Sequence, residues 1–214
     1  DGLSQSNATA TGLATGEYSV LVTDANGCTN TLEIAVGDVS VGVFETTYEG
    51  AFDDLARDVD ILSGGGHVIA GITESFGTGG SDVVLVKTDD NGNFDWAKAY
   101  GGTGDDGANS IVETSDGGYI VAGYSDGTGL GLYDVYLVKF NSDGDTLWTR
   151  IYGGFANDYA RSVIETSDGG IVVCGETESY GEGLEDALLF KTDSLGTLLW
   201  TKTYANGPGN IIKT

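Results

Sequence analysis

Apolar and polar positions alternate along most of this chain, and polar, glycine-rich turns cut the alternation every few residues. The clearest stretch is the middle of the chain. Residues 110–114 (SIVET) are short and apolar. Ser115-Asp116-Gly117-Gly118 follows as a tight turn, where glycine supplies the positive φ. Residues 119–125 (YIVAGYS) form a second strand, and a glycine-rich loop then runs through Gly131. Residues 134–140 (DVYLVKF) form a third strand, Asn141-Ser142-Asp143-Gly144 turns the chain, and residues 145–152 (DTLWTRIY) form a fourth. The pattern predicts a four-stranded antiparallel meander.

The same pattern returns every 52 residues. This step links Trp96, Trp148 and Trp200, and also Lys87, Lys139 and Lys191. Asp82, Asp134 and Asp186 follow it, as do Gly71, Gly123 and Gly175, with no insertion or deletion across residues 48–203. Ungapped self-similarity of this kind marks a repeat architecture. One copy cannot bury both of its faces, so the copies are expected to stack side by side. The three tryptophans are expected to be structural core, wedged between adjacent copies, in preference to carbohydrate platforms.

A meander of this length is the size of a β-propeller blade. Propellers close with about 4 to 8 blades. The chain holds three copies, at 48–99, 100–151 and 152–203, and the start of a fourth at 204–214. The expected fold class is therefore all-β: tandem four-stranded antiparallel blades, as an incomplete ring or part of a longer repeat array.

A different segment precedes the copies. Tyr18, Val20 and Val22 alternate with polar residues, Asn26-Gly27 is a hairpin signal, and Leu32, Ile34 and Val36 form a returning strand. Leu13-x-x-Gly16-x-Tyr18 fits a tyrosine corner. Residues 1–38 are expected to be the C-terminal part of an Ig-like sandwich, with 39–47 as a linker.

Charge narrows the function. There are 33 acidic residues against 9 basic, a net charge of -24. Such a surface repels phosphate backbones and anionic lipid, so nucleic acid is not an expected partner. No apolar run reaches transmembrane length, and no membrane insertion is expected. The chain has no Met, which reads as a mature product or a fragment. Cys28 and Cys174 are too few for a disulfide framework and are not expected to pair. His67 is the single histidine, which leaves no zinc cluster and nothing to single out a Ser-His-Asp triad. No nucleophile-elbow or phosphate-loop motif occurs. No enzyme activity is expected.

Some residues carry candidate chemistry. Asp53-Asp54, Asp105-Asp106 and Asn157-Asp158 occupy one column pair in loops, where carboxylates either bind Ca²⁺ or cap turns. No full calcium motif is present, so the cofactor expectation is none, with calcium as the candidate. Asp145-Thr146-Leu147 and Asp193-Ser194-Leu195 present Thr146 and Ser194 as candidate O-glycosylation sites, and Asn7-Ala8-Thr9 is an N-glycosylation sequon. Tyr124, Tyr133 and Tyr180 in the loop between second and third strands are candidates for stacking on surface glycans. Basic residues fall into columns, among them Arg57 and Arg161 with Asn109 between them, and are expected to serve as ion pairs of the scaffold.

The run GLATGEYSVLVTDANGCTNT, with its G-x-Y-x-V-x-V-T-D-x-N-G-C signature over residues 16–28, resembles the last half of the gliding-adhesin (SprB-type) repeat of very long Bacteroidota surface proteins. In that family the cysteine commonly has a partner earlier in the repeat, a stretch not in this chain. ETSDGGYIVAGYS, DVYLVKFNSDGDTLWTRIYGG and ETSDGGIVVCGET look like propeller repeats of proteins secreted by the type IX system. The sorting domain of such cargo is not in the chain, which fits a fragment. The resemblance implies an extracellular or cell-surface structural and adhesive protein, filamentous in some assemblies. Its partners would be neighbouring repeats or copies of the same protein, and surface glycans. A glycan-binding module, or a non-catalytic part of a secreted hydrolase, is the alternative.

Overall fold

The computed structural model describes residues 16–23, 26–36, 50–127, 131–182 and 184–204. Leu13 of the expected tyrosine corner, the Asn7 sequon, the 39–47 linker and residues 205–214 of the fourth copy lie outside the described residues. The chain divides into two units, Asp1–Glu45 and Thr46–Thr214.

In the first unit, β1 (Gly16–Thr23) and β2 (Thr29–Val36) pair antiparallel, with Thr23 opposite Thr29. Gly27 turns the hairpin at φ +83°. Ser19 Oγ donates to Glu33 Oε1 across the pair at 2.5 Å.

The second unit is three antiparallel four-stranded sheets in tandem, each running in chain order. The first sheet holds β3 (Asp54–Ile61), β4 (His67–Thr73), β5 (Asp82–Thr88) and β6 (Phe94–Tyr100). The second holds β7 (Asp106–Glu113), β8 (Tyr119–Ser125), β9 (Asp134–Phe140) and β10 (Thr146–Tyr152). The third holds β11 (Asp158–Glu165), β12 (Ile171–Thr177), β13 (Asp186–Thr192) and β14 (Leu198–Tyr204). No helix occurs among the described residues.

The first strand of each sheet begins four residues earlier than the apolar run suggests: β7 starts at Asp106, not at Ser110. A bulge explains the difference. Ala108 pairs with Gly123 and Ser110 with Ala122, so Asn109 has no cross-strand partner in the ladder. Arg57 and Arg161 are skipped in the same way in the other sheets. The bulge also explains the Gly71, Gly123 and Gly175 column. A Cβ at Gly123 would lie 1.8 Å from the Gly107 carbonyl oxygen, and Gly71 and Gly175 face equally close carbonyls. Only glycine lets the bulged strand approach.

The core lies between sheets. Val68, Ala70, Val83 and Leu85 of the first sheet pack on Ile111, Tyr119, Val121, Val138 and Phe140 of the second. Ile120, Ala122, Val135 and Leu137 of the second pack on Val163, Ile171, Val173 and Phe190 of the third. The middle sheet thus shows the period-2 alternation in full: Tyr119 and Val121 face one neighbour, Ile120 and Ala122 the other. The outer sheets have no such cover among the described residues. Leu55, Val59 and Ile61 are exposed on the first, and Leu198 and Leu199 on the third.

Each seam is fastened by the same contacts. Trp96 packs against the first core cluster and Trp148 against the second. Each lies over a turn glycine of the following sheet: a Cβ at Gly144 would sit 2.7 Å from the Trp96 ring, and one at Gly196 would sit 3.0 Å from Trp148. Both glycines hold positive φ, +79° and +77°. Tyr100 OH donates to the Gly144 carbonyl, and Tyr152 OH to the Gly196 carbonyl at 2.5 Å. The Ser63 amide donates to Glu113 Oε2 at 2.7 Å, and Ser115 repeats this to Glu165 at 2.7 Å. Trp200 and Gly92 occupy the same columns at the outer ends. Trp200 is 39% exposed, and a Cβ at Gly92 would meet nothing within 4 Å.

The lysine columns carry ion pairs. Buried Lys139 donates to Asp116 Oδ1 at 2.7 Å and to Thr114 Oγ1 at 2.5 Å. Lys191 meets Asp168 at 2.7 Å in the third sheet. In the first sheet Gly64 occupies the aspartate position, and Lys87 reaches Asp95 at 3.8 Å instead.

Two outcomes are expected. Replacing Trp96 or Trp148 with Ala should cost about 2–4 kcal/mol in urea unfolding, in the range of large-to-small core changes, while Trp200→Ala should cost under about 1 kcal/mol. The Asp116→Asn variant should depend on pH. Burial raises the Asp116 pKa, but bonds from Lys139, Thr114 and the Gly118 amide outweigh it and lower it from 3.8 to about 2. The carboxylate therefore stabilises the fold above pH 3.8, and this is lost as pH falls towards 2. Asp116→Asn should be less stable than the parent at pH 7, and the gap should close across that window in acid unfolding curves.

Candidate functional site

The bulge that shapes each first strand also aims a side chain. An unpaired bulge residue is free to turn away from the ladder. Arg57, Asn109 and Arg161, one per sheet, line one polar cavity of about 390 Å³. Tyr124, Tyr133 and Tyr159 line it as well, together with Ser81 and Asp105. All three sheets therefore contribute to one cleft.

The three tyrosines contact one another. Ring centroids lie 5.4 Å apart for Tyr124 and Tyr133, and 5.6 Å for Tyr124 and Tyr159 and for Tyr133 and Tyr159. Arg161 stacks over the Tyr159 ring at 5.1 Å and is bonded to Glu176, which holds its guanidinium above the ordinary arginine range. Asn109 Nδ2 donates to the Ala160 carbonyl at 2.8 Å, and Tyr133 OH points to Asp105 Oδ2 at 3.4 Å. Burial pushes the Tyr124 phenol up, with Arg57 and Arg161 opposing and Asp105 and Asp106 adding to it. The charges around the tyrosines are mixed: Arg57 and Arg161 against Asp105, Asp126 and Glu178. Half-buried aromatic rings beside planar amide, guanidinium and carboxylate groups suit a neutral polyhydroxylated ligand better than a polyanion.

The acidic columns act mainly on their own loops. Asp54, Asp106 and Asp158 each accept the amide four residues earlier: Gly50 at 2.9 Å, Gly102 at 2.6 Å and Gly154 at 2.9 Å. Thr73 donates to Asp54, and Ser179 to Asp158 at 2.6 Å. Asp105 accepts the Ser81 amide of the preceding sheet at 3.0 Å, whereas Asp53 is exposed. Among the described residues no three acidic, histidine or cysteine side chains come together to hold a metal. The Asp82, Asp134 and Asp186 column, visible in the sequence only as a mark of the repeat, is also buried.

The other candidates are dispersed. Thr146 and Ser194 are exposed at the edge of β10 and in the turn before β14. Tyr180 is exposed and donates to the Gly153 carbonyl at 2.7 Å, while Tyr124 and Tyr133 lie in the cleft. His67 Nδ1 sits 3.3 Å from Thr88 Oγ1 as a partly buried strand residue. Sequence reasoning missed Tyr159 and the convergence of Arg57, Asn109 and Arg161. Their common column was visible, but the bulge that turns them was not.

The loop role of the acids has a direct check. Asp106→Ala should strand the Gly102 amide and cost about 1–3 kcal/mol in chemical unfolding. Asp53→Ala, at an exposed position, should stay within about 0.5 kcal/mol of the parent.

No protein-family model matches the chain. Over 160 residues it is 26% identical to the Regulatory protein FlaEY of Caulobacter vibrioides. That match covers 64% of this chain and spans only 17% of the length of the relative.

Proposed function

We propose that this chain is a non-catalytic, extracellular structural and adhesive repeat protein of the cell surface or a surface filament. In this reading its three sheets are blades of a β-propeller or of a longer array of the same repeat, and the first unit is part of an Ig-like adhesin repeat. The observation that carries the reading is the pair of matching exposed surfaces on the first and third sheets, among the described residues. Trp200 is an indole with no glycine beneath it among the described residues, and Gly92 is a turn glycine with no indole above it. A neighbouring repeat or a second copy would fit there by the contacts already used twice within the chain. Two copies would supply six blades, within the range of about 4 to 8 that closes rings.

A second reading is a glycan-binding module, favoured by the Tyr124, Tyr133 and Tyr159 cleft with its arginines and Asn109. It is compatible with the first, since adhesion needs a surface that recognises something.

Sedimentation velocity over a concentration series tests the scaffold reading. The parent chain is expected to self-associate at concentrations where Trp200→Ala remains monomeric. A parent chain that stays monomeric throughout, or that turns over substrates in a broad hydrolase screen, would overturn it. In a glycan array, neutral saccharides are the expected ligands of the cleft. Tyr159→Ala should abolish that binding.

A further inference from the structure

The buried acids of the Asp82 column raise a problem that the scaffold alone does not solve. Asp82 and Asp106 belong to adjacent sheets, and each is 1% exposed. A Cβ on Gly101 would lie 1.9 Å from Asp82 Oδ1 and 2.7 Å from Asp106 Oδ2. The two oxygens therefore converge on one small space and can be no further apart than those two distances together. The next seam repeats this. A Cβ on Gly153 would lie 1.8 Å from Asp134 Oδ1 and 2.8 Å from Asp158 Oδ2.

The local bonds do not balance the charge. Asp82 Oδ2 accepts the Thr78 amide at 2.9 Å, but Asp82 Oδ1 is buried and accepts no hydrogen bond. At the second seam Asp158 Oδ2 is used by Gly154 and Ser179, while Asp158 Oδ1 is buried without a hydrogen bond. None of the ion pairs among the described residues reaches Asp82, Asp106 or Asp158. A buried carboxylate oxygen with no partner is costly, and two facing carboxylates more so. A proton or a cation relieves the repulsion.

We infer that a hard divalent cation, Ca²⁺ by preference, binds at each seam between the third-strand aspartate of one sheet and the first-strand aspartate of the next. The pairs are Asp82 with Asp106, and Asp134 with Asp158. The donors are all oxygen, which suits Ca²⁺. Two carboxylates leave room for waters and backbone carbonyls, which Ca²⁺ accepts in flexible geometry. Gly101, whose Cα lies beside the first pair, is exposed. The net charge of -24 concentrates cations near the surface. The cation would tie sheet to sheet, and the seam would depend on it. This goes beyond the scaffold reading and does not need it.

The test uses the whole chain, stripped with chelator. Isothermal titration with CaCl₂ should give two saturable sites, and Ca²⁺ should raise Tm by several degrees over NaCl of equal ionic strength. Asp82→Asn should remove one site or weaken it at least tenfold, and Asp134→Asn should do the same at the other seam. Asp53→Asn removes the same charge from an exposed position and should leave both sites intact. If Asp82→Asn fails to fold, the two-site stoichiometry of the parent and the Asp134→Asn variant still decide. Three results would overturn the inference. One is no Tm gain beyond the salt control. Another is an equal loss of binding in Asp53→Asn, which would mark diffuse surface attraction. The last is stabilisation on lowering the pH to about 5 with no effect of Ca²⁺, which would mean that the acids share a proton.

Discussion

An indole packed against a turn glycine of the next sheet is the contact on which the rest of unit 2 depends. A four-stranded sheet of this sequence has two apolar faces, and neither is covered from within. Trp96 over Gly144 and Trp148 over Gly196 set the spacing of the stack, because any side chain on those glycines would enter the ring. The glycines serve twice: their positive φ makes the turn, and their missing Cβ makes the seat. Tyr100 and Tyr152 then bond the carbonyl of the same glycine. One position thus couples turn geometry, packing and hydrogen bonding, and the sheets must stack in register for all three to be met.

The bulge in each first strand is the second coupling. It forces glycine at 71, 123 and 175, since the bulged strand presses a carbonyl against that position. It also releases Arg57, Asn109 and Arg161 from the ladder. A scaffold feature repeated in every sheet therefore delivers one polar side chain per sheet to a common cleft. The tyrosines are less regular: position 159 is Tyr, whereas the first two copies hold Leu55 and Gly107 there. The cleft combines a repeated frame with side chains that vary from copy to copy, and variation on a fixed frame is how repeat proteins diversify what they bind.

Much of this was legible in the sequence. The second and third strands of the middle copy, β8 and β9, coincide with the apolar runs because each run is nearly continuous and is bounded by turn residues, Gly118 and Asp126 around the first and Asn141 after the second. The first strand was read too short, because Asp106, Gly107 and Ala108 carry no apolar signal and pair only by virtue of the bulge. The tryptophan column pointed to the seams, and Trp96 and Trp148 are partly buried there, while Trp200 is exposed because no described sheet follows it. Cys174 is exposed for the same reason: Ala122, its counterpart in the middle sheet, is buried between sheets. The burial of Asp82 against Asp106 was not legible, since it joins residues of two copies through a loop whose path the linear pattern does not describe.

Charge explains why the seams are built as they are. Five of the nine basic residues pair with acids: Lys139 with Asp116, Lys191 with Asp168, Lys98 with Asp145, Arg161 with Glu176 and Lys87 with Asp95. Lys98 and Arg150 also lie over the seam tryptophans, at 5.5 and 5.3 Å. Other acids turn to backbone and hydroxyl donors instead. Those at loops accept backbone amides, and Glu113 and Glu165 accept both the amide and the hydroxyl of a serine from the sheet before. An acidic chain can close its seams in this way because backbone amides carry positive dipoles without adding a residue. At the Asp82–Asp106 and Asp134–Asp158 contacts two carboxylates face each other across a seam; the Gly102 and Gly154 amides serve Asp106 and Asp158, but Asp82 Oδ1 accepts no hydrogen bond, and there the proposed cation would supply the positive charge that the amides do not.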